Sequence, residues 1–216
     1  MDTATTNRTF YMRVGKRIGD LLLVVPGLIL VSPLLLLLAL IVRLNMGSPV
    51  LFRQTRPGFK GTPFRVFKFR TMRDLRDADG RLLPDASRLT AFGRFLRAAS
   101  FDELPELFNV LKGEMSLVGP RPLLMQYLDR YSPEQARRMD VRPGLTGHAQ
   151  VHGRNLVSWD ERFRLDVWYV DRCSVWLDLK ILFQTIGTVL KREGIAKEGH
   201  ATMTEFMGSG NPDGEL

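Results

Sequence analysis

The stretch LLLVVPGLILVSPLLLLLALIV, residues 21–42, decides the architecture of this chain because it carries no charged residue and a single hydroxyl. As a helix rising about 1.5 Å per residue it covers roughly 33 Å, and the apolar core of a bilayer is about 30 Å thick. The stretch therefore predicts a membrane helix. A signal peptide is disfavoured, since the run is long and Arg43 and Asn45 follow it in place of a small-residue cleavage pattern.

Charge and proline favour a re-entrant helix over a spanning one. Basic residues flank the stretch on both sides, and basic flanks prefer the cytoplasmic face. Pro26 and Pro33 each remove a helical N–H and clash with the carbonyl four residues earlier. The Ser32 hydroxyl is placed to satisfy a freed carbonyl near Leu28 or Ile29. A helix that breaks at Ser32-Pro33 and returns to the same face accounts for the basic residues on both flanks and for the prolines. A spanning anchor with a proline kink is the alternative. The flanking residues are Arg8, Arg13, Lys16, Arg17, Arg43, Arg53, Arg56 and Lys60.

Composition narrows the class of partner. The chain has 216 residues, a net charge of +8 and one cysteine, Cys173, which excludes an intrachain disulfide and a cysteine-based metal site. The positive charge indicates anionic partners: nucleic acid, anionic lipid or phosphorylated substrates. A nucleic-acid module needs a basic run with stacking aromatics, which residues 64–70 meet only in part. We predict no nucleic-acid partner, and keep a membrane-tethered anionic-ligand module as an alternative to an enzyme.

The remaining pattern predicts an α+β fold that is mainly helical. Basic and apolar residues alternate between glycine and proline breaks in residues 47–72, which indicates a β-hairpin. Residues 175–192 predict an amphipathic helix on the membrane surface, with a buried core helix as the alternative. Further helices are predicted over 91–100, 123–140 (interrupted near Ser132-Pro133) and 160–172, and a glycine-rich loop over 142–155. The predicted units are a re-entrant helix with its flanks (1–45), a cytoplasmic catalytic domain (46–207) and a disordered tail (208–216).

The segment SFDELPELFNVLKGEMSLVGPRP, residues 100–122, holds an adjacent acidic pair, Asp102 and Glu103. One interpretation is a capping box, with Ser100 as the N-cap. A helix that begins at Pro105 is the other, and it fits better because proline at the fifth helical position would remove a needed N–H. In this second case both carboxylates are left for chemistry, and the helix N-terminus is expected to keep Asp102 ionised.

Basic residues surround this pair in segments bounded by turns. In Gly119-Pro120-Arg121-Pro122 the two prolines restrict the backbone of an arginine, which suits a bidentate grip on phosphate. Adjacent carboxylates among basic residues suit Mg²⁺ and a diphosphate, and an Asp is also able to attack phosphorus directly. We predict Asp102 and Glu103 as catalytic and Mg²⁺-binding residues. The predicted substrate-binding residues are Lys68, Arg70, Thr71, Pro120, Arg121, Pro122, Arg142, Thr146 and Arg154.

These motifs resemble those of the bacterial sugar transferase family, the monotopic phosphoglycosyl transferases, over about residues 12–207. The resemblance is carried by Ser32-Pro33 and by four segments: KFRTM (68–72), RLTAFGRFLR (88–97), residues 100–122 quoted above, and RPGLTGHAQVHGRN (142–155). The chain is similar to the minimal catalytic form. Where the family often has Trp and Asn, this chain has His148 and His152, which bears on base or sugar contacts in that loop.

The resemblance implies that a UDP-sugar and polyprenyl phosphate give a polyprenyl diphosphate sugar and UMP, with Mg²⁺. It implies that Asp102 attacks the β-phosphate to form a phosphosugar intermediate, which the lipid phosphate then takes up. Glu103 would act as a base or at the metal, Lys68 and Arg121 in the active site, and Arg154 near the nucleotide. Direct displacement with Asp102 as a Mg²⁺ ligand only is the mechanistic alternative.

The resemblance also bears on substrate and location. Residues 194–208 are similar to members that use UDP-diacetylated bacillosamine or related amino sugars, although Thr204 stands where those members tend to have proline. The expected location is the cytoplasmic face of a bacterial inner membrane, in contact with membrane lipid. A homodimer is a further expectation, and the sequence gives no sugar identity, glycan pathway or polyprenol length.

Overall fold

The computed structural model describes residues 10–153, 157–191 and 205–208. It confirms the α+β fold, which is mainly helical with two small two-stranded sheets. The main helices are α1 (Lys16–Met46), α2 (Ala91–Ala98), α3 (Glu106–Lys112), α4 (Trp159–Arg172) and α5 (Val175–Lys191). The strands are β1 (Leu51–Pro57), β2 (Pro63–Phe69), β3 (Ser116–Val118) and β4 (Gly144–Thr146), and short helical turns lie at Tyr11–Gly15, Phe59–Gly61, Asp85–Arg88, Phe101–Glu103, Met125–Arg130, Pro133–Ala136, Arg137–Asp140 and His148–Val151.

Helix α1 runs without interruption over 31 residues and contains both prolines of the apolar stretch. Pro33 leaves the Ile29 carbonyl without its N–H donor, and the Ser32 hydroxyl donates to that oxygen at 2.8 Å. The predicted hydrogen bond of Ser32 is thus present, but the predicted helix break at Ser32-Pro33 is not seen, because α1 continues through both residues once this hydroxyl satisfies the carbonyl. By length and composition α1 is apolar enough to cross a membrane.

One side of α1 packs on the globular part along its whole length. Residues at helical spacing are buried on this side, and they contribute to two core clusters that share Leu28. In the first cluster Val24 packs with Phe64 and Met115. In the second, residues from Leu35 to Met46 pack with Phe69 and Leu96. The opposite side exposes large apolar residues. Buried in α1 are Lys16, Asp20, Val24, Leu35, Leu38, Val42 and Met46, and exposed are Ile18, Leu22, Leu23, Val25, Ile29, Leu30, Leu36, Leu37, Leu40 and Leu44.

Polar contacts fix the N-terminal end of α1 to the globular part. The buried Lys16 ammonium donates to Asp178 of α5 and, at 3.0 Å, to the Tyr169 hydroxyl of α4. Asp20 accepts from the Ser116 hydroxyl at 3.0 Å and from the Leu117 N–H at 2.9 Å. The first turns of α1 are therefore held against α4, α5 and β3.

The C-terminal end of α1 is fixed by Arg70, which follows β2. Its guanidinium donates to the carbonyls of Met46 at 2.6 Å, Ser48 at 2.9 Å and Met72 at 3.0 Å. These contacts satisfy a helix-terminal carbonyl that has no partner within the helix. Both ends of α1 consequently lie against the same globular part.

The hairpin prediction is confirmed, and β1 and β2 pair antiparallel from Leu51↔Phe69 to Pro57↔Pro63. The loop prediction for residues 142–155 is wrong in part, because β4 pairs in parallel with β3. A Cβ on Gly144 would lie 2.0 Å from the Gly119 nitrogen, so the two segments approach closely only through glycine. Three-residue strands carry too little periodicity to be predicted.

Several helix boundaries are set by caps. The capping-box interpretation of Ser100 is wrong, since this residue has φ 56° and makes no side-chain cap. Helix α3 instead follows Pro105 and ends at Gly113, where φ is 82°, as the alternative predicted. The interruption at Ser132-Pro133 is also confirmed, because Ser132 and Gln135 form a capping box there. Residues 123–140 are therefore short turns, and the predicted longer helix is wrong.

Helix α5 has large apolar residues on its exposed side as well as on its buried side. Ile181 is buried, whereas Trp176 is 79% and Phe183 is 80% exposed. The purely buried alternative for this helix is therefore wrong. Near the C-terminal end, Phe206 is buried among aromatic residues, which are Tyr127, Tyr131, Trp159 and Phe163.

Candidate active site

The acidic pair lies in a short 3₁₀ turn, Phe101–Glu103, directly before α3. Asn109 of α3 is fully buried and ties this helix to β2. Its side chain accepts from the Phe67 N–H at 3.0 Å and donates to the Arg65 carbonyl at 2.7 Å. This junction places Lys68, the next residue of β2, beside the acidic pair.

Lys68 bridges two carboxylates. Its ammonium lies 2.6 Å from Glu103 Oε1 and 3.0 Å from Glu106 Oε1. Arg121 also holds Glu103: one guanidinium nitrogen donates to Oε1, and the other lies 3.3 Å from Oε2. Lys68 and Arg121, predicted from separate motifs, thus meet at Glu103.

The two bridged carboxylates differ in acidity. Burial raises the pKa of Glu103, but Arg121 and Lys68 outweigh burial and hold that pKa well below its ordinary value. Burial is also the largest influence on Glu106, which is 2% exposed; Lys68 opposes it, Glu103 adds to it, and the pKa rises to about 7. Glu103 is therefore a fixed anion, and Glu106 is the residue of this group that titrates near neutral pH.

Asp102 is placed differently from its neighbour. Among the described residues, no hydrogen bond or ion pair holds its side chain. Its pKa is raised, mainly by burial and further by Glu103, while Lys68, Arg97 and Arg121 oppose the rise. This direction is opposite to the one expected from a helix dipole. A carboxylate that is more basic than usual and has no protein partner is suited to nucleophilic attack.

Arg97, in the last turn of α2, brings a further cation to the site. Its Nε donates to the Thr71 hydroxyl at 3.1 Å, and its charge lowers the pKa of Asp102. Thr71 is buried, and its backbone packs closely on Gly93 of α2. A Cβ at Gly93 would lie 1.9 Å from the carbonyl oxygen of Thr71. Thr71, predicted to bind substrate, in this structure orients Arg97.

The loop that carries Arg121 is held from both sides. Pro120 accepts from the Gly144 N–H at 3.0 Å, which fixes the start of the loop to β4. The Arg121 carbonyl accepts from Arg138 at 2.8 Å, and Arg138 forms a buried ion pair with Asp166 at 2.7 Å. Pro120 and Pro122 therefore frame a backbone that has little freedom.

Three of the predicted substrate-binding residues lie elsewhere. Arg70 binds the carbonyls at the end of α1, as described above. Arg142 Nε donates to the Gly113 carbonyl at 2.9 Å, beyond the end of α3. The Thr146 hydroxyl lies 2.7 Å from that of Thr185 in α5. These side chains hold structural elements together. Arg154 lies outside the described residues, as do most of residues 194–208 and the tail 209–216.

The donor set suits an ion that needs few protein ligands. Among the described residues, no three His, Cys, Asp or Glu side chains converge as a metal site. Mg²⁺ usually takes one or two carboxylates together with phosphate oxygens and water. Asp102 fits this requirement. Both oxygens of Glu103 already accept from cations, so the second predicted ligand fits less well.

Two groups near this site were not predicted from the sequence. Glu106 is the first residue of α3, three residues after Glu103, and a third acidic residue this close to the pair is the signal that could have identified it. Arg138 and Asp166 lie 28 residues apart and carry no such local signal.

Comparison with known proteins places the chain among sugar transferases. The family model described as bacterial sugar transferase matches residues 11–192. An uncharacterized sugar transferase EpsL of Bacillus subtilis is 55% identical over 196 residues, 91% of this chain and 97% of the relative. A UDP-glucose:undecaprenyl-phosphate glucose-1-phosphate transferase of Caulobacter vibrioides is 44% identical over 81% of this chain and 69% of its own length.

Longer relatives match as well. An undecaprenyl-phosphate galactose phosphotransferase of Salmonella typhimurium is 41% identical over 200 residues, which are 84% of this chain and 42% of the relative. The chain thus spans less than half of that protein.

Proposed function

The chain belongs to the bacterial sugar transferase family, and from this premise we propose that it transfers a sugar 1-phosphate from a UDP-sugar to undecaprenyl phosphate and releases UMP. The names of two relatives above support this reaction. The observation that carries the proposal is the carboxylate of Asp102, which has no partner among the described residues and lies in the field of Lys68, Arg97 and Arg121.

The proposed mechanism has two displacements at the same phosphorus. A carboxylate oxygen of Asp102 attacks the β-phosphorus, the bond to the bridging oxygen breaks, and UMP leaves with that oxygen. An oxygen of the lipid phosphate then attacks the phosphosugar, the bond from Asp102 to phosphorus breaks, and the carboxylate is restored. Lys68 and Arg121 would neutralise charge on the phosphates, since both lie at the acidic pair.

Bound Mg²⁺, held by Asp102, would supply further neutralisation of the diphosphate. Direct displacement, with Asp102 as a metal ligand only, is the alternative mechanism. It predicts a ternary-complex pattern in initial rates and no phosphosugar trapped on Asp102.

A screen of UMP release tests the reaction. The full-length protein in lipid nanodiscs, with undecaprenyl phosphate and Mg²⁺, should release UMP from one member of a UDP-sugar panel. The panel includes UDP-glucose, UDP-galactose and a UDP-diacetylated amino sugar, because residues 194–208 resemble members that use the last. Chelation should stop the release, and added Mg²⁺ should restore it. A panel without any lipid-dependent UMP release would reject the proposed function.

We also propose that the enzyme is monotopic and lies on the cytoplasmic face of the inner membrane, with α1 as a re-entrant helix. Support comes from Lys16 and Met46, at opposite ends of α1, which both pack on the same globular part. A helix of 31 residues covers roughly 46 Å, so a spanning α1 would carry one end away from that part. The apolar exposed side of α5, at Trp176 and Phe183, suits the membrane interface.

Cysteine accessibility tests this topology. A cysteine at Thr5, before α1, should react with an impermeant reagent only from the cytoplasmic side. Arg81→Cys, on an exposed turn of the globular part, provides the reference for that side. The native Cys173 is buried and should stay silent. Labelling of the Thr5 position from the periplasm would show that α1 spans the membrane.

A further inference from the structure

Arg56 is a half-buried cation near the end of β1 that the mechanism above does not use. Its guanidinium donates to the Gln54 side chain at 2.6 Å. Among the described residues no Asp or Glu forms an ion pair with it, whereas Lys68, Arg121 and Arg138 each have a carboxylate partner. Arg56, like Arg97, is therefore a cation near this site that forms no ion pair with a carboxylate among the described residues.

Arg56 lies in the electrostatic field of a second cation, Arg121. Burial lowers the pKa of Arg56, the charge of Arg121 lowers it further, and Glu106 opposes both. A similar effect reaches Arg162, whose pKa falls to about 10 through burial and through Arg121 and Arg138, against Asp166. A half-buried positive charge near another cation is costly, and an anionic ligand between Arg56 and Arg121 would offset that cost.

The end of β1 lies against the loop that carries Arg121. Pro57 and Gly58, which follow Arg56, line one small cavity together with Pro120, Arg121 and Pro122. Arg56 is therefore adjacent to a loop that already carries a cation of the candidate active site.

The register of the hairpin gives the position of Arg56 relative to Lys68. Lys68 pairs with Phe52, so Arg56 lies four residues, about 13 Å, farther along the strand. The Lys68 end of the hairpin is the one next to Arg70 and the end of α1. At the Arg56 end, the cross-strand partner Phe64 packs near Val24, toward the other end of α1, so Arg56 lies on the far side of the site from Arg70.

We propose that Arg56 binds the phosphate of the donor that leaves as part of UMP. The inference rests on the proposed function, in which the donor is a UDP-sugar. A guanidinium at this position would hold the nucleotide phosphate while Lys68 and Arg121 act at the phosphorus under attack. Arg56 is then a substrate-binding residue at the nucleotide end of the site.

Nucleotide binding and steady-state kinetics test the assignment. In the full-length protein, Arg56→Gln should weaken UMP and UDP binding about 10- to 100-fold, the range for a lost hydrogen bond to a charged group. The KM for the UDP-sugar should rise similarly, with the KM for undecaprenyl phosphate unchanged. Arg56→Lys should recover part of the loss, because charge is kept and the planar fork is not.

Arg65→Gln is the matched control, since Arg65 is an exposed arginine of the same hairpin, paired across from Thr55. It should leave both nucleotide affinity and both KM values unchanged. Thermal unfolding of each variant checks that the hairpin is intact.

Three outcomes would overturn the assignment. A change confined to the KM for undecaprenyl phosphate would show that Arg56 binds the acceptor. Unchanged nucleotide affinity in a folded Arg56→Gln protein would remove its role. If the wild-type protein binds neither UMP nor UDP and releases no UMP, the proposed function itself fails.

Discussion

The Asp102→Asn variant should lose UMP release by at least about 10³-fold, because the amide cannot act as the nucleophile. The replacement has nearly the same shape, and no described residue bonds to the Asp102 side chain, so folding should be unaffected. Rates of UMP release and thermal unfolding temperatures measure the two expectations. With a radiolabelled donor, a phosphosugar adduct should be trapped on the wild-type protein and be missing from the variant.

Asp129→Asn is the control for this experiment, since Asp129 is exposed on the turn Met125–Arg130, a different element from the one that carries the acidic pair. It should release UMP at the wild-type rate. Full activity in the Asp102→Asn protein would remove Asp102 from the chemistry, both as the nucleophile and as a required Mg²⁺ ligand.

The second large effect is expected from Gly144→Ala. A Cβ at this position would lie 2.0 Å from the Gly119 nitrogen and 2.4 Å from the Thr146 carbonyl oxygen, both of them backbone atoms. The clash should separate β3 from β4 and destabilise the protein by roughly 3 kcal/mol. Because Gly119 begins the loop of Arg121, activity should fall as well. Thermal unfolding in detergent should show a decrease of about 6–12 °C.

Gly187→Ala provides the matched control within α5. A Cβ at Gly187 meets nothing within 4 Å, and alanine is the better helix former. Its unfolding temperature should be unchanged or slightly raised. An unchanged stability of Gly144→Ala would mean that the approach of these two strands is looser than the structure shows.

Local chemistry made part of this molecule predictable. Pro105 and Gly113 mark the ends of α3 through backbone rules that act within a few residues. The Ser32 hydroxyl and the carbonyl freed by Pro33 are likewise one turn apart. The antiparallel hairpin follows from two segments close in sequence. In each case the partner lies nearby along the chain.

Arginine partners were the least predictable. Arg70, Arg121 and Arg142 all stand in motifs bounded by turns, and their sequence context did not distinguish them. In the fold, Arg121 meets a carboxylate, whereas Arg70 and Arg142 meet backbone carbonyls. An arginine serves either purpose with the same donors, so its role depends on which distant segment lies opposite.

The two-sided character of α1 bears on how this protein is handled in the laboratory. Its inner side, including Val24, Leu38 and Val42, is part of the core, so deletion of the membrane segment would leave a hydrophobic surface on the remaining chain. Its outer side touches no such core. Polar replacements restricted to outward positions such as Leu30 and Leu36 would preserve the internal packing and lower the demand for detergent. A more water-soluble version of this enzyme would therefore need polar residues on the outer side of α1 and also on the exposed side of α5, where Trp176 and Phe183 lie.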